Sequence, residues 1–220
     1  MARAARVVVV DHPHLVYQPT HEGQRVFRRD RDFQAYLEIL GEVASSHQLE
    51  LWAYCLFKHE IYLLVCPRNE QALSQGVGRS HFSYSRYRLG NSADIGELWR
   101  NRFLSCPVDR AYVQQAAIFV ESQPLWQRPV RQPMDYRWSS ASDHCGREQG
   151  PVTLAWPGRL NRRKWAKLLD EGVDAELAAT IKQRIKTGLP WGSPQFVKEL
   201  EKRFGRRLHP RPVGRPRVTS

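Results

Sequence analysis

Apolar residues come in short runs and in helical spacing along the first 125 positions, and the two patterns alternate. His14–Gln18 reads as a short strand ended by Pro19, and the polar THEGQRVFRRD after it reads as a loop. Asp30 is a fitting N-cap for a helix to about His47, in which Phe33, Tyr36, Leu37, Leu40, Val43 and Ala44 recur at three-to-four spacing. Leu49–Phe57 and Ile61–Cys66 flank a polar break at Lys58-His59-Glu60, the pattern of a β-hairpin. Asn69 to about Arg88 predicts a second helix, with Leu73, Val77, Tyr84 and Tyr87 inside and Arg79, Arg86 and Arg88 outside. After the glycine-bearing LGNSADIG, Arg102–Cys106 reads as a strand ended by Pro107. Asp109 then caps a helix from Arg110 to about Gln123, where Pro124 stops it. Near the start, Val7–Val10 reads as an edge strand or a strand leading into the core.

The order β-α-β-β-α-β-α predicts an α+β fold: a ferredoxin-like antiparallel sheet with helices on one face. Beyond it, Pro124 to Pro157 is rich in proline, tryptophan and small polar residues, and reads as a strap with one helical turn near Trp138–His144. Three short helices follow over Arg162–Leu169, Asp174–Lys186 and Pro194–Phe204, punctuated by Gly188, Gly192 and Gly205. The expected organisation is a ferredoxin-fold domain over 1–145, a linker over 146–160, a basic helical appendage over 161–205 and a basic tail over 206–220. The tail has little apolar surface to bury, so disorder in the free state is expected. There is no internal repeat.

Composition narrows the class. With 41% hydrophobic and 25% charged residues among 220, the chain has the makeup of a globular protein with a core. No apolar run reaches the roughly 20 residues of a membrane span. MARAARVVVVD is too short for a secretory apolar region, so a cytoplasmic protein is expected. Cys55, Cys66, Cys106 and Cys145 form no C-x-x-C pair, which argues against a zinc site or disulfide framework. Charge is the strongest signal: the net is +12, and from Pro151 onward 16 Lys/Arg stand against 6 Asp/Glu. Most of the basic residues are arginine, the better phosphate fork, so nucleic acid is the expected partner.

Several segments carry a resemblance: WAYCL at 52–56, LLVCP at 63–67, NRFLSCPVDRAYV at 101–113, AAIFVESQP at 116–124, DYRWSSA at 135–141 and the C-terminal TGLPWGSPQFVKELEKRFGRRLHPRPVGRPR. In this order they resemble the REP-associated tyrosine transposases, bacterial members of the single-tyrosine HUH family. The resemblance implies a ferredoxin-like core, a homodimer and recognition of hairpin-forming DNA. It also implies a reaction, in which a tyrosine attacks single-stranded DNA and keeps the 5′ phosphate. A magnesium or manganese ion would act there as Lewis acid. Two histidines one residue apart on a strand face the same way and hold that ion. A third ligand stands four residues after the tyrosine, on the same helix face.

Carried over by register, the two histidines fall on Glu60 and Tyr62, the tyrosine on Phe119 and the third ligand on Gln123. Phenylalanine cannot form a phosphotyrosine. A neutral phenol is a poor ligand for a hard cation, since its proton leaves only near a pKa of about 10. Glu60 with Gln123 makes a thin site, so no metal cofactor is expected; Mg or Mn would be required only if the chain were an active enzyme. His59 points to the opposite face from Glu60 by strand alternation, and a one-residue slip would reverse every side chain on that strand. Tyr112 lies two helical turns before Phe119, about 10 Å along the axis. The expectation is that Tyr62 and Phe119 pack together over the former pocket with Glu60 at its rim.

Candidate DNA contacts remain. Arg79, Arg86 and Arg88, interleaved with His81, Phe82, Tyr84 and Tyr87, read either as a backbone-plus-stacking surface or as an ordinary amphipathic helix. Arg162, Arg163 and Lys164, with Arg159 and Lys167, form a basic cluster. Arg211, Arg215 and Arg217 surround a Gly-Arg-Pro similar to an AT-hook, or else form a solubilising tail. The leading expectation is a catalytically inactive transposase relative that binds hairpin or palindromic single-stranded DNA. The alternatives are an active transposase with a non-standard site, and a decayed copy or protein-interaction module that kept only the fold.

Overall fold

The structure is a computed structural model, and it describes residues 5–21, 24–90, 98–127 and 130–210. Among the described residues, four strands form one antiparallel sheet: β1 (His14–Pro19), β2 (Leu49–Phe57), β3 (Glu60–Pro67) and β4 (Leu104–Pro107), in the order β2-β3-β1-β4. Helix α1 (Asp30–Ser46) joins β1 to β2, and α2 (Ala72–Leu89) joins β3 to β4, which is the ferredoxin-like arrangement. Strands β2 and β3 are buried along almost their whole length, so both faces of the sheet are covered there. That is why β2 and β3 read as continuous apolar runs rather than alternating ones.

Register assigns the two faces. Cys55 pairs with Tyr62 and Phe57 with Glu60, so these share a face, while Leu56, Ile61 and Leu63 point the other way. A bulge between Leu51 and Ala53 shifts the alternation, and Leu49 and Leu51 join the Ile61–Leu63 face. Helix α2 lies on that second face, where a side chain at Gly76 would fall 2.7 Å from Leu49 Cδ2. Helices α1 and α2 pair through Tyr36, which packs edge-on against Tyr84 at 5.4 Å and bonds His81 Nε2 at 3.1 Å. Helix α3 (Val113–Glu121) covers the first face, with Phe119 against Tyr62.

Several local expectations are corrected. Asp30 is the first residue of α1 rather than its N-cap, which is Arg29; the Asp32 carboxylate reaches back to accept from the Arg28 and Arg29 amides at 2.8 and 3.0 Å. The helix expected over Arg110–Gln123 is a 3₁₀ turn (Arg110–Tyr112), then α3, then a separate α4 (Gln123–Gln127). Pro124 sits in the first turn of α4 rather than ending a helix, because a first-turn residue needs no N–H partner. Val7–Val10 is no strand; Val7 and Val9 bury themselves under helix α8 (Pro194–Phe204). Tyr87 is 51% exposed rather than inside.

The strap seals one sheet edge. Leu56 N donates to Trp138 O at 2.9 Å and Ser140 N to Tyr54 O at 3.0 Å, so residues 138–140 pair with the outer edge of β2. Tyr136 stacks on Phe57 and Trp138 on Phe33. A short helix α5 (Ala141–His144) follows, then α6 (Arg162–Glu171) and α7 (Ala175–Thr187). Trp165 of α6 and Ile181 and Ile185 of α7 are buried in the same core as the sheet, so the helical region is packed onto the ferredoxin-like unit rather than hanging from it. Leu208 buries itself with Val7, Val9, Phe196 and Leu200, and Arg206 bonds Ala5 O at 2.8 Å, so residues 206–208 are anchored.

Candidate functional site

Strand alternation and register bring Tyr17, Glu60 and Tyr62 onto one face, since Tyr17 pairs with Tyr62 across β1 and β3. Their rings and oxygens interlock. Tyr17 and Tyr62 have ring centroids 4.9 Å apart. Tyr17 donates to Glu60 Oε2 at 2.7 Å and Tyr62 to Glu60 Oε1 at 3.3 Å, while Gln127 Nε2 also donates to Glu60. Helix α3 lays Phe119, fully buried, edge-on to Tyr62 at 6.0 Å. Burial raises the Tyr62 hydroxyl well above the ordinary phenol value, and the charge of Glu60 raises it further. Burial and the bond to Glu60 do the same to Tyr17. Both phenols therefore stay protonated at neutral pH.

Gln123 takes a different position from the one expected. Its Nε2 donates to Phe119 O at 2.8 Å, and it is buried under α3 rather than lining the pocket above Glu60. His59 is exposed, its ring bonded to Gln24 O at 2.9 Å, away from Tyr62. Tyr112 packs against Trp191 at 5.4 Å, in another part of the molecule.

Over Tyr17, Glu60 and Tyr62 opens a pocket of about 790 Å³. Its walls carry Arg100 and Arg102, just before β4, and Lys182 and Lys186, one turn apart on α7. All four are exposed, and among the described residues they outnumber the one carboxylate in the lining. The inward turn of α7 explains the lysines: Ile181 and Ile185 enter the core, so positions 182 and 186 point out beside them. Another pocket, of about 860 Å³, is lined by Glu38, Glu42 and Glu50, of which Arg68 neutralises Glu50, so the charge left there repels phosphate. The cationic pocket was not visible in the sequence, because its four cations come from positions some 80 residues apart. The only local signal was Arg-Asn-Arg at 100–102.

The fold is similar to that of a solved REP-associated tyrosine transposase. That structure, described as a REP-associated tyrosine transposase bound to a REP hairpin, matches with a TM-score of 0.56 at 13% identity, over 73% of this chain and 94% of that chain. No protein-family model and no curated relative matches the sequence.

The other sequence-derived candidates are scattered. Arg79 and Arg86 are exposed on α2, whereas Arg88 is half-buried and donates from Nε to Val26 O at 3.2 Å. His81 and Tyr84, expected among the stacking residues, are buried; Phe82 and Tyr87 are exposed. Arg162, Arg163 and Lys164 occupy the exposed first turn of α6. Arg211, Arg215 and Arg217 lie outside the described residues. Among the described residues, no group of three or more His, Cys, Asp or Glu side chains is placed to hold a metal, and no helix is long and apolar enough to cross a membrane.

A second carboxylate was missed altogether. Glu121, at the end of α3, is fully buried and accepts from Ser140 Oγ, from His144 Nδ1 at 2.6 Å and from Trp165 Nε1 at 2.8 Å. Burial alone would lower the His144 pKa, but the Glu121 charge wins and raises it above 6.5. This network ties α3, α5 and α6 together beneath the basic turn of α6.

Proposed function

We propose that the chain is a DNA-binding protein derived from a single-tyrosine transposase, one that has kept the fold and lost cleavage and joining. It binds hairpin or palindromic single-stranded DNA, as a homodimer, in the cytoplasm at the nucleoid. The observation that carries this reading is the Tyr62–Phe119 ring pair lying under a pocket walled by Arg100, Arg102, Lys182 and Lys186. The ring pair fills the ground where the resemblance puts a metal and a nucleophile. The cations above it offer four partners for phosphate.

The residues present do not fit a hard divalent ion. Glu60 already accepts from Tyr17, Tyr62 and Gln127. The Tyr62 phenol holds its proton, and Gln123, whose Nε2 bonds Phe119 O, is buried away from the pocket lining. Magnesium requires near-octahedral oxygen ligation, and beside the occupied carboxylate this set offers only the Gln123 amide oxygen, on a side chain that does not line the pocket. The fold similarity to a hairpin-bound transposase supports DNA as partner.

One contact favours a second reading. Tyr17 lines the pocket with its hydroxyl 2.7 Å from the Glu60 carboxylate, the reach of a nucleophile from its base. In that reading the Tyr17 oxygen bonds phosphorus, its proton passes to Glu60, and the 3′ oxygen leaves and takes a proton from water. The raised Tyr17 pKa opposes it.

Anisotropy of a labelled DNA hairpin with unpaired tails tests the leading reading. Binding that falls steeply between 50 and 200 mM salt is expected. The double variant Arg100→Gln/Arg102→Gln should weaken it about tenfold and flatten the log–log salt slope by about one per lost phosphate contact. Unchanged affinity in that variant would remove the pocket from the interface.

A further inference from the structure

We infer that a second face of the molecule, the outer side of α2 with the 24–29 loop, binds unpaired single-stranded DNA by stacking its bases on Phe82 and Tyr87. This rests on the DNA-binding reading and adds a site apart from the cationic pocket. Phe82 and Tyr87 are 56% and 51% exposed, unlike the other aromatic residues of α2. Arg79, Phe82 and Arg86 stand at i, i+3 and i+7, so they share one stripe of the helix. Tyr87 flanks that stripe, its ring 5.9 Å from Tyr84.

The loop beside the C-terminal half of α2 extends the charge. Val26 is its anchor: its amide donates to Lys58 O at 2.9 Å, and its carbonyl accepts from Tyr84 Oη at 3.1 Å and Arg88 Nε at 3.2 Å. Around that anchor Arg25, Arg28 and Arg29 are exposed. The β2–β3 turn completes the patch, with the His59 ring on Gln24 O. Among the described residues, Arg25, Arg28, Arg29, Arg79 and Arg86 make no ion pair. The local carboxylates are engaged: Asp30 pairs with Arg137, and Asp32 holds the Arg28 and Arg29 amides.

Exposed rings between unpaired arginines fit unstacked bases on a phosphate backbone, since every base offers a π-face. A duplex keeps its bases stacked and offers the rings nothing. The chemistry therefore selects a single strand over a duplex, with little sequence preference.

The test compares a 12-nucleotide oligo-dT with a blunt-ended hairpin, using the full chain and anisotropy. Phe82→Ala/Tyr87→Ala should weaken oligo-dT binding by about tenfold or more, with a smaller loss on the blunt hairpin. Phe82→Trp/Tyr87→Trp should restore it. Arg79→Gln/Arg86→Gln should lower the salt slope on oligo-dT by about one to two. Equal losses on both probes, or no loss on oligo-dT, would overturn the inference. So would a changed sedimentation coefficient with unchanged oligo-dT affinity, which assigns the rings to self-association. Wild-type protein that binds the hairpin but not oligo-dT overturns this inference and leaves the DNA reading standing. Failure to bind either probe removes both.

Discussion

Glu60 and Glu121 each accept three hydrogen bonds, and the difference between them separates site from scaffold. Glu60 sits at a pocket rim, takes its bonds from Tyr17, Tyr62 and Gln127, and faces cations that a ligand can reach. Glu121 is sealed, takes its bonds from Ser140, His144 and Trp165, and faces nothing a ligand can touch. Glu60 is the first residue of β3, at the pocket, and Glu121 is the last residue of the helix that closes the core. A hydrogen-bonded carboxylate is thus a lock where it is sealed and a reachable charge where it is half-buried at a pocket rim.

The largest effect should come from the lock. Glu121→Gln leaves His144 and Trp165 without a charged acceptor and should cost about 3–5 kcal/mol of stability, read by urea unfolding. If the loss stays below about 1 kcal/mol, Glu121 is not the tie between α3, α5 and α6.

Phe119→Tyr should come next. It adds a hydroxyl to a fully buried ring and should destabilise by about 1–3 kcal/mol without creating a covalent DNA adduct. A stable variant that forms the adduct would show that the site lacks only its nucleophile.

The buried histidines give a pH dependence with two signs. Burial lowers His14 to about 4 and His81 to about 3, so both are neutral in the fold. Their stability is present above pH 6.5 and is lost as pH falls toward those values. His144 is raised by Glu121, so its contribution is present below pH 6.5 and is lost as pH rises through its folded value. Unfolding midpoints should therefore drop on the acid side, and His81→Phe should reduce that drop. The alkaline loss should vanish in Glu121→Gln. An alkaline loss of the same size in that variant would separate His144 from Glu121.

Glu60→Gln should have the smallest effect on stability, about 0.5 kcal/mol, because Glu60 is only half-buried. It removes the negative charge from the cationic pocket, so hairpin affinity should rise about twofold to fivefold at low salt. A fall in affinity would make Glu60 a direct contact to DNA rather than a tether for the two tyrosines.

The hairpin was legible because two apolar runs around Lys58-His59 leave few ways to pair. Alternation on β3 then set the geometry at Glu60 and Tyr62 and turned His59 away, and the structure places them so. Periodicity found α1, α2 and the last three helices. It missed the break at Ser122, since a proline at the start of α4 looks in sequence like a helix stop. It also missed the fate of Val7–Val10, whose alternation serves a small core with α8 rather than a strand pairing. Tyr87 misled because an aromatic at near-helical spacing looks internal. The cationic pocket and the Glu121 network depend on tertiary contacts between distant segments, such as Arg100 with Lys186 around one cavity and Glu121 with Trp165 across 44 positions. No local pattern encodes such pairs.

The most direct measurement is a single incubation of the protein with 5′-labelled single-stranded hairpin DNA and Mg²⁺ or Mn²⁺, split between a native and a denaturing gel. The expected result is a salt-sensitive shift on the native gel and free, full-length DNA on the denaturing one. A protein–DNA adduct that survives denaturation, and that disappears in Tyr17→Phe, would contradict the proposed loss of catalysis and name the nucleophile.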